Sequence, residues 1–279
     1  MNCLQRFLGN RISMPPSIFA YSMLYPYTDN LLDDAEITAD SKRKICTRLG
    51  LRLEGARVEP EGRRERDIYR LVAMIEGEYD RPGFPDVYHA LLAIHRGQVR
   101  SLLQQDSGPI PDDDRILEIS VEKGGASVLA DGYLVAGKLS GREADFCFGF
   151  GAVLQLFDDL QDVTPDIEAG RWTLFSRNAH RLPLDGLASR LHRFLLNVLR
   201  SADRFRISAQ PVLKDLIRRN CGFLLLQAVS QNQDLFDRSY LRRLEPHSPL
   251  RFGYLKSLRA VITPIIDRLS VRWRLAALR

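Results

Sequence analysis

The chain has 279 residues, 45% of them hydrophobic and 27% charged, enough apolar material for one large core or two small ones. Its net charge is +5, but the basic residues are dispersed, as at Arg63-Arg64, Arg218-Arg219 and Arg242-Arg243. No basic run interleaved with aromatics marks a nucleic-acid groove, and a modest positive balance also suits an anionic small molecule.

Four cysteines (Cys3, Cys46, Cys147, Cys221) lie far apart without metal-type spacing and read as reduced thiols. No apolar run reaches the roughly 18 residues of a membrane span, and the opening residues lack a signal-peptide pattern. The expectation is a cytoplasmic protein with no transmembrane segment and no nucleic-acid partner.

Helical periodicity dominates from the start. Pro15-Pro16 opens a first helix with Ser17 as its cap and Ile18 to Asp34 as its body, and Pro26 predicts a kink or break. Further helices are expected at about 39–54 and 63–79. Arg81-Pro82-Gly83-Phe84-Pro85 is a clear interruption, after which Asp86 caps a segment from Val87 to Gln105. A loop over 106–114 precedes helices at about 115–136 and 141–163. Three more follow a loop at 164–181, at about 184–205, 209–236 with a break near Gly222, and 250–278 with a kink at Pro264. No alternation is sustained enough for a sheet. The chain reads as one all-α helical domain over residues 1–279.

Two acidic clusters stand out, each at the end of an apolar helical run. Asp29 and Asp33 are four apart and share a face, with Asp34 beside them. Gln155, Asp158, Asp159 and Asp162 repeat the pattern in the run from Gly149. Like charges at this spacing destabilise a helix slightly, so one cluster alone reads as a solvated helix end. Two clusters from distant parts of one chain point instead to a shared cation such as Mg²⁺, held by carboxylates and completed by substrate phosphates. Apolar residues below them would line a cavity for a hydrocarbon tail.

Lys123, ahead of Gly124-Gly125, and Arg171, in a polar loop after the second cluster, are the cations placed to hold a phosphate. By default each is a solvated side chain. His95, Gln98 and Ser101 recur at helical spacing and read as a polar seam between helices. Tyr21, Tyr25, Phe150 and Phe157 are core by default, and Tyr25 and Phe150 become substrate-binding candidates if their rings face the cavity, where they would stabilise a carbocation.

These residues resemble a family. Gly151-Ala152-Val153-Leu154-Gln155-Leu156-Phe157-Asp158-Asp159-Leu160-Gln161-Asp162 is similar to the second aspartate-rich motif of trans-prenyltransferases. Lys123-Gly124-Gly125-Ala126 falls where that family has a Lys-Thr-Gly/Ala element, and Gly170-Arg171-Trp172-Thr173 where it has Gly-Lys-x-Thr. Thr28-Asp29-Asn30-Leu31-Leu32-Asp33-Asp34 resembles the first motif of squalene and phytoene synthases and of bacterial large terpene synthases. The likeness covers about residues 20 to 175. Gly124 replaces the usual Thr, and the Gly-Gly-Lys-Arg site for isopentenyl diphosphate has no counterpart.

The resemblance implies the class I isoprenoid synthase superfamily: an all-α bundle around an apolar cavity, acting on an allylic prenyl diphosphate. Asp29, Asp33, Asp34, Asp158, Asp159 and Asp162 would hold Mg²⁺, with Lys123, Arg171 and Gln155 at the diphosphate. The expected activity is a terpene synthase that ionises one allylic diphosphate. A prenyltransferase joining two isoprenoid units and a non-catalytic scaffold of the same fold are the alternatives. About 17 residues precede Ile18, too few to wall the cavity as prenyltransferases do, so a homodimer is expected to cover it.

Overall fold

The computed structural model describes residues 1–34, 36–104, 111–181, 183–204 and 210–258. The helices are α1 (Asn2–Phe7), α2 (Pro16–Asp33), α3 (Ala39–Glu54), α4 (Gly62–Glu76), α5 (Pro85–Ser101) and α6 (Asp113–Ala136). They continue as α7 (Gly141–Gln161), α8 (Val163–Glu168), α9 (Leu174–Asn178), α10 (Asp185–Ser201), α11 (Gln210–Gln231) and α12 (Arg238–Leu244). A last helical stretch, α13, covers 252–258. The described residues contain no strand, and the protein is all-α as its periodicity predicts. None of its described helices is long and apolar enough to cross a membrane.

Short polar side chains start several of these helices by accepting a first-turn N–H. Thr38 accepts from Ser41, Asp112 accepts from Arg115, and Ser140 with Glu143 closes a reciprocal capping box ahead of α7. Two expected caps differ. Ser17 lies inside α2, and its N–H and hydroxyl donate to the Glu78 carboxylate at 3.1 and 2.5 Å, so a distant acid satisfies that helix start. Asp86 falls in the first turn of α5, which begins at Pro85.

Pro26 does not break α2. Proline removes one backbone donor, and side chains gather on the neighbouring carbonyls. Gln98 of α5 donates to the Tyr25 carbonyl at 3.1 Å, and the Thr28 hydroxyl donates to Leu24 and Tyr25. Gln98 also accepts from Thr28, and Ser101 donates to the Gln98 carbonyl, so the polar seam on α5 is a satisfied one. Gly222 does not interrupt α11. Of the expected last helix, residues beyond 258, Pro264 among them, lie outside the described residues.

Two apolar layers meet at α6. One is built from α7, α10 and α11 with α1, around Phe7, Phe146, Leu160, Leu195 and Val229. The other is built from α2 to α5, around Tyr21, Ile68, Val72 and Leu91. Helix α6 sends Val128 into the first and Ala126, Ala130 and Leu134 into the second. The segment ahead of α2 is therefore not bare: α1 contacts α6 and α11, and the fully buried Phe7 ring stacks on Phe146 at 5.2 Å.

Glycines let α6 approach its neighbours. A Cβ on Gly124 would stand 2.4 Å from the Gln155 Cβ, and one on Gly151 would stand 2.1 Å from the Gly124 carbonyl oxygen. On the other side, a Cβ on Gly97 of α5 would meet the Lys123 Cα at 3.0 Å. Helix α6 runs unbroken through Gly124-Gly125. These glycines serve close packing of α6 against α5 and α7.

Candidate active site

Because α5, α6 and α7 touch through glycine, the residues beside those glycines are drawn together around one cavity of about 210 Å³. Asp29 and Asp33 reach it from the last turns of α2. Lys123 comes from α6 and Gln155, Asp158 and Asp159 from α7. Asp162 follows at the α7–α8 joint, Asp166 lies on α8, and Arg171 and Thr173 stand on the loop after it. Ser101, Gln104 and Ser120 complete the lining.

The backbone explains why the second cluster extends so far. The Asp162 N–H donates to the Asp158 carbonyl at 2.9 Å and the Asp166 N–H to the Asp162 carbonyl at 2.8 Å, so the i, i+4 series crosses the joint. Asn232, at the end of α11, holds that joint. Its amide donates to the Leu160 carbonyl at 3.3 Å, and its own carbonyl accepts from the Thr164 hydroxyl at 2.8 Å. Gly170 then turns with φ +66°, and the Arg171 N–H donates back to the Asp166 carbonyl at 2.8 Å. Trp172 N–H donates to the Gln104 carbonyl, and Thr173 caps α9. The Gly-Arg-Trp-Thr segment is thus a tight turn, a cation folded over the acids, an anchor to the short turn that follows α5, and a cap.

Both cations are engaged. Lys123 Nζ lies 2.7 Å from Asp29 Oδ1, with the lysine side chain 15% exposed. Arg171 spans the clusters, 3.3 Å from Asp33 Oδ2 and 3.9 Å from Asp166 Oδ1. Among the described residues that line the cavity, six carboxylates stand with two cations, and burial penalises the charge of the acids. Burial pushes the Asp159 carboxyl up to about 6, against the hydrogen bond from Gln155 at 2.9 Å. It pushes Asp166 up to about 7 against the pull of Arg171. Asp158 is raised too, by burial first and then by Asp162.

Three sequence candidates stand elsewhere. Asp34 turns outward, 3.7 Å from Arg64. Phe150 packs against the α7–α10–α11 core and stacks on Phe146 at 5.9 Å. Tyr25 lies one turn from Asp29, between α2 and α6, where it lines a separate cavity of about 200 Å³ with Tyr21, Pro26, Ser127 and Asp131. Its hydroxyl pKa is raised by burial and by the surrounding acids Asp29, Asp158 and Asp131. The lining of the carboxylate cavity is polar throughout, whereas the sequence led us to expect apolar walls. The apolar residues of α7 on the opposite face, Val153, Leu156 and Leu160, are buried in the core.

Sequence reasoning missed Asp166, although it continues the four-residue spacing of Asp158 and Asp162. It also missed Asn232, Gln104 and Ser120, which carry no local signal because they act from other helices.

The donor set suits a hard divalent cation, which binds through carboxylate oxygens, and among the described residues the buried Asp159 Oδ2 has no hydrogen-bond partner. Among the described residues, no three His, Cys, Asp or Glu side chains already stand in ligating positions. No family model, no curated protein and no solved structure matches this chain.

Proposed function

We propose that this protein is a Mg²⁺-dependent class I terpene synthase that ionises an allylic prenyl diphosphate and releases diphosphate. One observation carries the reading. Acid pairs from helices far apart in sequence face one cavity together with a lysine and an arginine. Asp29, Asp33, Asp158, Asp159, Asp162 and Asp166 are the residues that would hold the metal. When bound there, Mg²⁺ supplies Lewis acidity to the diphosphate and makes it a better leaving group.

The chain's own groups do the rest. Lys123 and Arg171 donate charge-assisted hydrogen bonds to the diphosphate oxygens and stabilise the charge that develops as the allylic C–O bond breaks. The electron pair leaves with the diphosphate, and a double bond of the same substrate attacks the resulting cation, so no nucleophilic side chain is required. Proton loss or water capture then ends the reaction.

A single-substrate reaction is favoured because the Gly-Gly-Lys-Arg site for isopentenyl diphosphate has no counterpart in the sequence. Of the basic residues after the first cluster, Arg48 is tied to the buried Glu65 at 2.8 Å, and Lys42, Arg43 and Lys44 lie on α3 outside the lining of the carboxylate cavity. The test incubates C10 to C25 allylic diphosphates with Mg²⁺, with and without isopentenyl diphosphate. Diphosphate release together with a hydrocarbon or alcohol, unchanged by the second substrate, is expected. A longer diphosphate made only when both substrates are present would establish the prenyltransferase instead.

A further inference from the structure

Asp131 of α6 is a half-buried carboxyl that no hydrogen bond or ion pair reaches among the described residues. It lines the cavity of about 200 Å³ between α2 and α6, with Met1, Tyr21, Ser22, Tyr25, Pro26 and Ser127. An acid without a partner in such surroundings is costly. Burial pushes its carboxyl up to about 7, against the pull of the Met1 amino group. The other titratable groups that feel Asp131 are the Tyr21 and Tyr25 hydroxyls and the Cys147 thiol of α7, none of them a cation.

This cavity adjoins the carboxylate site. Helices α2 and α6 are pinned together at two levels, by Lys123 Nζ at 2.7 Å from Asp29 and by the Tyr21 hydroxyl, which donates to the Ser127 carbonyl at 2.9 Å. Lys123, Ser127 and Asp131 follow at four-residue steps along one side of α6, as Asp29, Tyr25 and Tyr21 do along α2. At the helical rise per residue, Asp131 lies about 12 Å beyond Lys123. Tyr25 stands between the two levels: it lines the second cavity, yet its hydroxyl feels Asp29 and Asp158 as well as Asp131. A hydrocarbon chain whose diphosphate is held at Lys123 would run past Tyr25 and the Tyr21 ring stacked on it toward Asp131.

We infer that Asp131 is the base that ends the reaction, taking a proton from the carbocation so that the product is an alkene. The inference rests on the proposed function and decides between proton loss and water capture. Once the diphosphate has left with the electron pair of the C–O bond, a C–H bond next to the cationic carbon breaks. Its electron pair becomes the π bond of the alkene, and the proton passes to the Asp131 carboxylate. A carbocation is so acidic that the strength of the base matters little and its position matters most. Asp131 therefore also selects which C–H bond breaks. The transfer turns a cation and a carboxylate, both costly in an apolar cavity, into two neutral groups. The Tyr21 and Tyr25 rings offer π faces that attract the cation near the base. The proton returns to water when the product leaves.

Product analysis of the full chain, run beside diphosphate release, tests this with geranyl, farnesyl and geranylgeranyl diphosphate in Mg²⁺. The wild type should give an alkene as its main product. Asp131→Asn keeps the shape and removes the base. It should melt no lower than the wild type at pH 8, because an uncompensated charge is lost. Its diphosphate release should slow severalfold at most, since ionisation takes place at the other cavity. The share of the wild-type alkene should fall by about tenfold or more, as expected on loss of a positioned base, with alcohol or another isomer in its place. Asp131→Glu brings back a carboxylate one methylene longer and should restore alkene as the main product class. Asp145→Asn, on the exposed start of α7, should change neither readout. An unchanged product profile in Asp131→Asn would overturn the inference and leave the proposed function standing, and so would a wild type that makes only alcohol. Failure of Asp131→Glu to restore alkene would make the effect one of shape and overturn it as well. Loss of release in a folded Asp131→Asn would also overturn it, by assigning Asp131 to ionisation. If the wild type releases no diphosphate from any substrate, the proposed function fails and the inference with it.

Discussion

Asp166 has the clearest electrostatic signature of any residue in the cavity. Its carboxyl titrates at about 7 in the folded chain because it is buried near Asp158, Asp159 and Asp162, with Arg171 in partial compensation. In the unfolded chain it titrates near the ordinary aspartate value of about 3.9. The folded state holds this proton more tightly, so the stabilising contribution is complete below the unfolded value. It is lost as pH rises through about 7. Asp166→Asn mimics the protonated form. In chelator, wild type and variant should melt alike near pH 4. At pH 8 the variant should be more stable by roughly 1–4 kcal/mol, since one pKa unit is worth about 1.4 kcal/mol. Equal melting temperatures at pH 8 would show that Asp166 is ionised without cost. Mg²⁺ binding should strengthen across the same interval, because Asp159 and Asp166 must lose their protons to become ligands. At this scale the sequence was most legible where spacing did the work. Asp29 with Asp33, and Asp158 with Asp162, could be read from helix geometry alone. The partners of Lys123 and Arg171 could not, because they depend on which helices meet.

For the helices, the decisive feature is the close approach of α6 and α7. Gly124 and Gly151 were visible in the sequence, but their role was not, since nothing local distinguishes a glycine that bends a helix from one that lets another helix in. Gly151→Ala would put a methyl 2.1 Å from the Gly124 carbonyl. It should cost about 1–3 kcal/mol as the helices separate and should weaken Mg²⁺–pyrophosphate binding. Gly222→Ala in α11 meets nothing within 4 Å among the described residues, and should be neutral or stabilising by up to about 1 kcal/mol. Denaturant titrations of both variants check the contrast, and equal stabilities would refute the packing role. Asn232 acts over a longer range. Asn232→Leu leaves the Leu160 carbonyl and the Thr164 hydroxyl without this partner and should cost about 1–3 kcal/mol. Misplacement of α8 should lower Mg²⁺–pyrophosphate affinity as well. A stable variant with undiminished affinity would show that α8 is held by other contacts.

Across the whole molecule, helical periodicity predicted the all-α class and most helix positions within a few residues, because a core-facing stripe recurs every three or four residues in each segment. What periodicity could not supply is the division of the interior into two layers that share α6. Nor could it show that α1 packs onto α6 and α11, since a six-residue helix is too short to display a period. The polar character of the cavity has the same origin. The apolar residues around the second cluster belong to the other faces of α7, and the helix crossing decides which face meets which neighbour. The central claim is that the two acid clusters act as one site on an allylic diphosphate. The most direct measurement is diphosphate release from geranyl, farnesyl and geranylgeranyl diphosphate in Mg²⁺, comparing wild type with Asp29→Ala and Asp158→Ala at matched helicity and melting temperature. Release by the wild type that disappears in chelator and in both variants is the expected result. No release from any of the three substrates, or release that survives either substitution, would contradict the claim.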